Sequence, residues 1–347
     1  MPHVPNLLER LYILRANRAP GAIYDLLGGG TVKSVALAAE FGVFDALAEG
    51  PATAGALAGR LDADEDSLAM LCRFLARAGY LTRDGDTYAL SDLSDRWMVG
   101  DPGLVDWFTF WDSVVYPFWD ANAATVLRTG EPDQSVYEWL DDHPDRWPTA
   151  QRGFEAVAKL ALDPTLDNVD VTGRSHLVDL GGGHGRYSIG ACQANPDLEA
   201  TVVDSPVALD VARENAAAAG LSDRLHTIGG DLLADDIGSG YDLGFAFNVV
   251  HGFTPDENRR LFERAADAMD PGGTLVVMDQ FEGAGPIATA RAMNDFIGFT
   301  YRVLLGGRVY RFEQVEAWLR DAGFADVERI DLRRAPGVTL VTGTLPG

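Results

Sequence analysis

From residue 176 onward, short apolar runs alternate with amphipathic stretches of helix length, and this alternation constrains the fold more than any other feature of the chain. The runs at 176–180, 198–203, 225–228, 243–247 and 274–278 read as strands, and the segments 186–194, 206–219 and 255–269 read as helices. Strands separated by helices of this length form a parallel sheet covered on both faces, with ligands bound beyond the C-terminal strand ends. The expected fold class is therefore α/β, a Rossmann-like doubly wound sheet.

Residues 20–162 follow a different rule. Their apolar positions recur at helical spacing, as in Val35, Ala38, Phe41, Phe44 and Leu47, or Leu68, Leu71, Cys72 and Leu75. Two short helices over 53–61 and 64–78 precede strand-like stretches at 80–82 and 87–90 around the turn DGD, an order that predicts a winged helix. The polar stretch 163–173, with Pro164 and Gly173, reads as the linker, which divides the chain into domains 1–170 and 171–347. A run of seven aromatics over 107–119, including Trp111, is expected to form core, a dimer seam or one wall of an apolar pocket.

Charge narrows the partners. The chain carries 52 acidic against 28 basic residues, a net charge of −24, a field that repels phosphate backbones and anionic lipid. The segment that a DNA-reading winged helix would use offers Arg73 and Arg77 against Asp62, Asp64, Glu65 and Asp66. Neither nucleic acid nor membrane is therefore an expected partner. No stretch approaches the ~20 apolar residues of a membrane span and no signal peptide is evident, so a cytoplasmic location is expected. Asp outnumbers Glu 37 to 15 and only Lys33 and Lys159 are lysines. This surface resembles those of proteins working in molar salt, which would screen its self-repulsion, although a GC-rich genome would also account for the missing lysine. Cys72 and Cys192 stand alone, which signals neither a disulfide nor a metal site.

The first strand runs into DLGGGHGR at 179–186 and then a helix. Glycines there let the backbone turn tightly and bring free amides of a helix N-terminus to a ligand. The dinucleotide pattern GxGxxG fails at Arg186, whereas an acid followed by GxGxG fits with Asp179, Gly181, Gly183 and Gly185, as in proteins that bind S-adenosylmethionine. Two more acids stand at successive strand ends: Asp204, suited to ribose hydroxyls, and Asp231, suited to an adenine amino group with Leu232 against its face. Either acid taken alone could equally be a cap or a surface charge.

With these positions in place, the chain resembles the small-molecule O-methyltransferases of the caffeate, acetylserotonin and bacterial polyketide type. The resemblance covers nearly the whole length and rests on the winged-helix start, DLGGGHG at 179–185, VDSP at 203–206, GD at 230–231, NVVH at 248–251, DPGG at 270–273, GG at 306–307 and AGF at 322–324. It implies a homodimer formed through an N-terminal dimerisation and substrate-lid domain. It also implies S-adenosylmethionine as cofactor without a metal, Asn248 at the cofactor site, and His251 as general base oriented by Asp279. Two positions depart from the family. Val309 stands where a second orienting Glu is usual, in GGRVYR at 306–311, and Gly252 replaces the acid or amide that normally follows the base.

The residues support His251 on their own. It follows the fourth strand, and TPDE at 254–257 forms a capping box with Pro at the first helical position, so a helix starts at once and leaves His251 in a short loop above the sheet. Methyl transfer needs an aligned acceptor and removal of its proton, which a histidine can supply. The helix expected over 288–305 carries Met293, Asn294, Phe296, Phe299, Tyr301 and Arg302; with Trp111 and Phe253 it suggests an apolar, aromatic small-molecule acceptor. Two other readings stand beside O-methylation: methylation at carbon or nitrogen, or loss of transfer altogether, and a non-catalytic winged-helix regulator that senses a ligand.

Overall fold

The structure is a computed structural model that describes residues 7–18, 20–100, 103–284, 287–332, 334–335 and 337–347. The chain forms two compact units: residues 1–117 with 145–156, and 118–144 with 157–347. The expected single cut at 170 does not describe this packing. Phe118 and Trp139, in edge contact at 5.8 Å, belong to the larger unit. The expected linker is partly helix as well: 163–166 complete the helix Trp147–Leu166, with Pro164 in its last turn.

In the smaller unit the helix Ala54–Leu61 is capped by the Thr53 hydroxyl, which accepts from Ala56 N at 3.2 Å. The helix Glu65–Arg77 is capped by Asp64, whose carboxylate accepts from Ser67 N at 2.8 Å and is held below its usual range by those hydrogen bonds. Strands β1 (Ala52–Thr53), β2 (Leu81–Asp84) and β3 (Thr87–Leu90) make a small antiparallel sheet in the order β1-β3-β2. Phe44, Leu57, Cys72 and Leu75 fill the core beneath it. The aromatic run continues the helix Leu104–Phe110 through a widened turn over Trp111–Val115. Phe110 and Trp111 are buried within this unit, packed on Trp107, Tyr116 and Phe154. Trp111, expected as core, dimer seam or pocket wall, is thus buried as the core reading predicts.

The larger unit is built on strands β4 (His176–Leu180), β5 (Glu199–Asp204), β6 (Leu225–Gly229), β7 (Tyr241–Phe247), β8 (Met269–Asp279), β9 (Ala325–Asp331) and β10 (Thr339–Thr344). Their order is β6-β5-β4-β7-β8-β10-β9, parallel from β6 to β8, with β10 antiparallel to both neighbours. The sheet is therefore mixed, where the sequence predicted a parallel one. Period-two alternation sorts the two faces: Leu177, Leu243 and Phe245 face one core, Val178, Leu180 and Ala246 the other. The chain leaves β4 toward β5 and returns after β6 to lay β7 on the opposite side of β4. The loops after β4 and β7 consequently diverge at a switch point, where doubly wound sheets open a crevice. Among the described residues no helix is long and apolar enough to cross a membrane.

Candidate functional site

The loop after β4 holds Gly181, Gly183 and Gly185 at φ of 71°, 50° and 70°, the left-handed region that only glycine enters at little cost. At Gly181 space is limiting too, since a Cβ there would lie 2.6 Å from Val249 Cγ2. The helix Arg186–Ala194 starts directly from this loop, and Arg186 N donates to His184 Nδ1 at 3.2 Å. Behind the loop Asp179 is 1% exposed; its Oδ2 accepts from Ser188 Oγ at 2.7 Å, while Oδ1 is buried with no hydrogen-bond partner among the described residues.

An orphaned carboxylate oxygen behind a glycine loop fits a ligand that brings a donor or a positive charge. Burial, opposed by the Ser188 bond and reinforced by the charge of Asp204, pushes Asp179 up to about 7. Between about pH 4 and 7 the folded protein thus keeps a proton that the unfolded chain releases, so stability falls as pH rises through that window and stays low above it. The ligand-free protein is expected to gain roughly 2–4 kcal/mol from this group on going from pH 8 to pH 5. Asp179→Asn removes this contribution, and urea titrations of both proteins at the two pH values measure the difference. An unchanged difference between the pH values in Asp179→Asn would refute the assignment.

At the end of β5 the half-buried Asp204 accepts from Gly183 N at 2.8 Å and from Ser205 N at 2.6 Å, so it also shapes the glycine loop. Burial raises its proton affinity against these bonds. Beyond β6, Asp231 is exposed and its Oδ1 accepts from Leu233 N at 2.8 Å. The Leu232 side chain packs toward the loop, 3.6 Å from where a Gly181 Cβ would stand. Arg264 fastens this segment from the next helix by donating to the carbonyls of Leu232, at 2.8 Å, and Asp235. Asn248, exposed at the end of β7, takes φ of 56° and ties its amide to Met278 O at 2.7 Å.

His251 lies one turn beyond Asn248, 7% exposed. Asp279, 2% exposed at the end of β8, accepts from His251 N at 3.1 Å, from Gln280 N at 2.8 Å and from the imidazole, whose Nδ1 is 2.9 Å from Oδ1. A carboxylate surrounded by donors places the ring proton on Nδ1 and leaves the lone pair on Nε2. Among the described residues Nε2 has no hydrogen-bond partner and is not sealed off, so it is free to take a proton from a ligand. The loop is fixed from three further directions. Asn258, fully buried, donates to the carbonyls of Val250, Phe253 and Thr254 at 3.0–3.2 Å. The Tyr310 hydroxyl donates to Phe253 O at 2.6 Å. Arg308 N donates to His251 O at 2.9 Å, an approach that only glycine permits at 307, because a Cβ there would lie 2.0 Å from that oxygen.

The ten expected cofactor and catalytic positions therefore converge at the C-terminal ends of β4 to β8. The expected acceptor residues divide. Met293, Phe296 and Phe299 are exposed on the helix Ala288–Leu305, where Trp119 packs against the last two at 5.9 and 5.3 Å. Asn294 is buried, and its side-chain nitrogen donates to Ala284 O at 3.2 Å and Gly337 O at 3.4 Å, so it also fastens the fold. Phe253 turns its side chain into the core beside β7 and β8 and serves the site through its carbonyl. Arg302 donates to Gly306 O, and Val309 packs against Gly298, 3.1 Å from a Cβ built there.

Sequence reasoning missed Ser188, Asn258, Gln280 and Tyr137. Tyr137 lies on the helix Val136–Asp141 of the larger unit. Burial and then the charge of Asp204 push its hydroxyl up to about 12. Only its place between the polar helix start at Ser135 and Trp139 marked it in sequence, and that signal is indistinguishable from ordinary helix patterning.

Known proteins resemble this chain over most of its length. Residues 129–325 match the family model of the O-methyltransferase domain and residues 26–100 that of the O-methyltransferase dimerisation domain. A 3-hydroxy-5-methyl-1-naphthoate 3-O-methyltransferase of Streptomyces sahachiroi is 29% identical over 90% of this chain and 91% of its own length. An L-tyrosine C(3)-methyltransferase of Streptomyces lavendulae is 28% identical over 92% and 90%. The solved structure of the mitomycin 7-O-methyltransferase MmcR superposes with a TM-score of 0.81 at 26% identity, covering 96% of this chain and 99% of that one.

Proposed function

Since the chain belongs to the O-methyltransferase family, we propose that it moves a methyl group from S-adenosylmethionine to a hydroxyl of an apolar aromatic small molecule, with His251 as general base. The observation that carries this reading is the His251–Asp279 pair, whose open Nε2 stands at the same sheet edge as the glycine loop and Asp204. The residues present fit the cofactor. The 181–185 backbone can approach it closely, Asp204 offers acceptors for ribose hydroxyls, and Asp231 and Leu232 suit an adenine edge and face. The orphaned Oδ1 of Asp179 suits the ammonium of its amino-acid end. The bound cofactor supplies an already activated methyl group.

The work left to this chain is to align the acceptor and remove its proton. A histidine cannot deprotonate a phenol fully in advance, so His251 accepts the proton as the acceptor oxygen attacks. Asp279 holds the ring with Nε2 outward and balances the charge that the ring acquires. The exposed Met293, Phe296 and Phe299 offer an apolar surface for a planar acceptor. A second reading, transfer to carbon or nitrogen, is favoured by the apolar Val309 in place of a second acid. We further infer a homodimer through the smaller unit, which the dimerisation-domain match supports.

Calorimetric titration with S-adenosylmethionine, S-adenosylhomocysteine and NAD, in dilute buffer and in molar KCl, tests the cofactor. The two adenosyl ligands are expected to bind and NAD to fail, and a gain of folded signal in KCl would support a salt-adapted surface. Binding by none of them to a folded protein would refute the reading. Product mass and NMR after incubation with phenolic acceptors then separate oxygen from carbon or nitrogen as the acceptor atom.

A further inference from the structure

The face of the His251 imidazole is covered by an aromatic ring. Tyr301 lies parallel to it, with the planes 1° apart and the centroids separated by 3.5 Å. The Tyr301 hydroxyl donates to Gln280 Oε1 at 2.5 Å, and Gln280 follows Asp279 in the chain. Two successive residues at the end of β8 therefore serve the same histidine. Asp279 holds the edge of the imidazole, and Gln280 holds the ring that covers its face.

An imidazole restrained only at Nδ1 can still pivot about that contact and sweep Nε2 through an arc. A second acid would oppose the pivot, but position 309 is a valine packed against Gly298. A flat ring pressed on the imidazole face blocks the same motion while leaving Nε2 open. Charge favours this arrangement at one stage in particular. Two neutral aromatic rings prefer offset or edge-on geometry to a direct sandwich, whereas a cation over a phenol face is attracted to it. The stack thus gains strength once the ring has taken a proton. Burial first, and the Asp279 charge second, hold the Tyr301 hydroxyl well above its ordinary value, which keeps it a neutral donor to Gln280.

We propose that Tyr301, anchored by Gln280, is a positioning residue for His251: it fixes the imidazole plane and meets the positive charge that proton transfer places on the ring, in place of a second acid. The proposal rests on His251 as the base, but its test does not need turnover. In protein labelled with 15N-histidine, the His251 signals are those that vanish in His251→Ala. The wild type is expected to show a single tautomer with a protected Nδ1 proton, and Tyr301→Phe, which keeps the face but loses the hydrogen bond to Gln280, is expected to behave like Gln280→Leu. Tyr301→Leu and Gln280→Leu are expected to exchange that proton with water about two- to tenfold faster, the range that an aromatic pair can hold back.

A folded Tyr301→Leu protein, judged by circular dichroism and a cooperative melt, with wild-type exchange would overturn the proposal, since a merely structural Tyr301 lowers the melting temperature and leaves the ring proton alone. If Tyr301→Leu does not fold, Tyr301→Met, flexible and without a flat face, decides by the same criterion. Failure of the base assignment shows separately, as turnover retained by His251→Ala.

Discussion

Replacing His251 with alanine is expected to lower turnover by about 10²- to 10⁴-fold while S-adenosylhomocysteine affinity stays within about twofold, the range a positioned general base contributes. The separation follows from geometry. The imidazole contacts Asp279 and Tyr301, and neither it nor they form the glycine loop or the Asp204 contacts. Alanine leaves Asp279 its two main-chain donors, His251 N and Gln280 N, so the carboxylate is not stranded and the loop keeps its anchors at Asn258, Tyr310 and Arg308. The loss should therefore appear in kcat with little change in KM, measured by following S-adenosylhomocysteine release with a responsive acceptor. Turnover at wild-type level would remove His251 from the chemistry and leave alignment of the acceptor as the whole of the catalysis.

Asp204→Ala is expected to have the opposite profile, with S-adenosylhomocysteine affinity falling about 10- to 100-fold and turnover at saturating cofactor largely kept. Hydrogen bonds to a charged group are worth ~1.5–3 kcal/mol each, enough for such a loss from one or two of them. The carboxylate has a second duty, because it accepts from Gly183 N and Ser205 N and so shapes the loop that it faces. Asp204→Asn keeps one acceptor oxygen and is expected to fall between the two. Titration calorimetry on the three proteins gives the order. Equal affinities would show that the cofactor lies elsewhere along the sheet edge.

Much of the fold was legible in advance because local chemistry and tertiary structure agree. The helices Arg186–Ala194 and Ala288–Leu305 have the bounds that periodicity predicts, and the Thr254–Glu257 capping box forms as expected, with Glu257 Oε2 accepting from Thr254 N at 2.8 Å. The failures have physical causes. Strand β9 carries Glu328, Arg329 and Asp331 on an edge, where polar residues hide the strand pattern. The two-unit division escapes any single cut because the chain leaves the smaller unit after 117, returns over 145–156 and leaves again. No linear composition change reports a path of that kind.

The candidate site divides along the same line. Which residues reach the sheet edge was readable from the strand pattern, since Asp179, Asp204, Asp231, Asn248 and Asp279 lie at or just beyond strand ends, and a strand end in a doubly wound sheet is a place in space. Only the tertiary structure decided what each side chain does there. Asn294 fastens two turns, Phe253 serves through its carbonyl, and Tyr301 lies flat on His251 from 50 residues away. Period and spacing fix the direction of a side chain from its own element. The partner that it meets is set by how separate elements pack, and no local pattern encodes that distance.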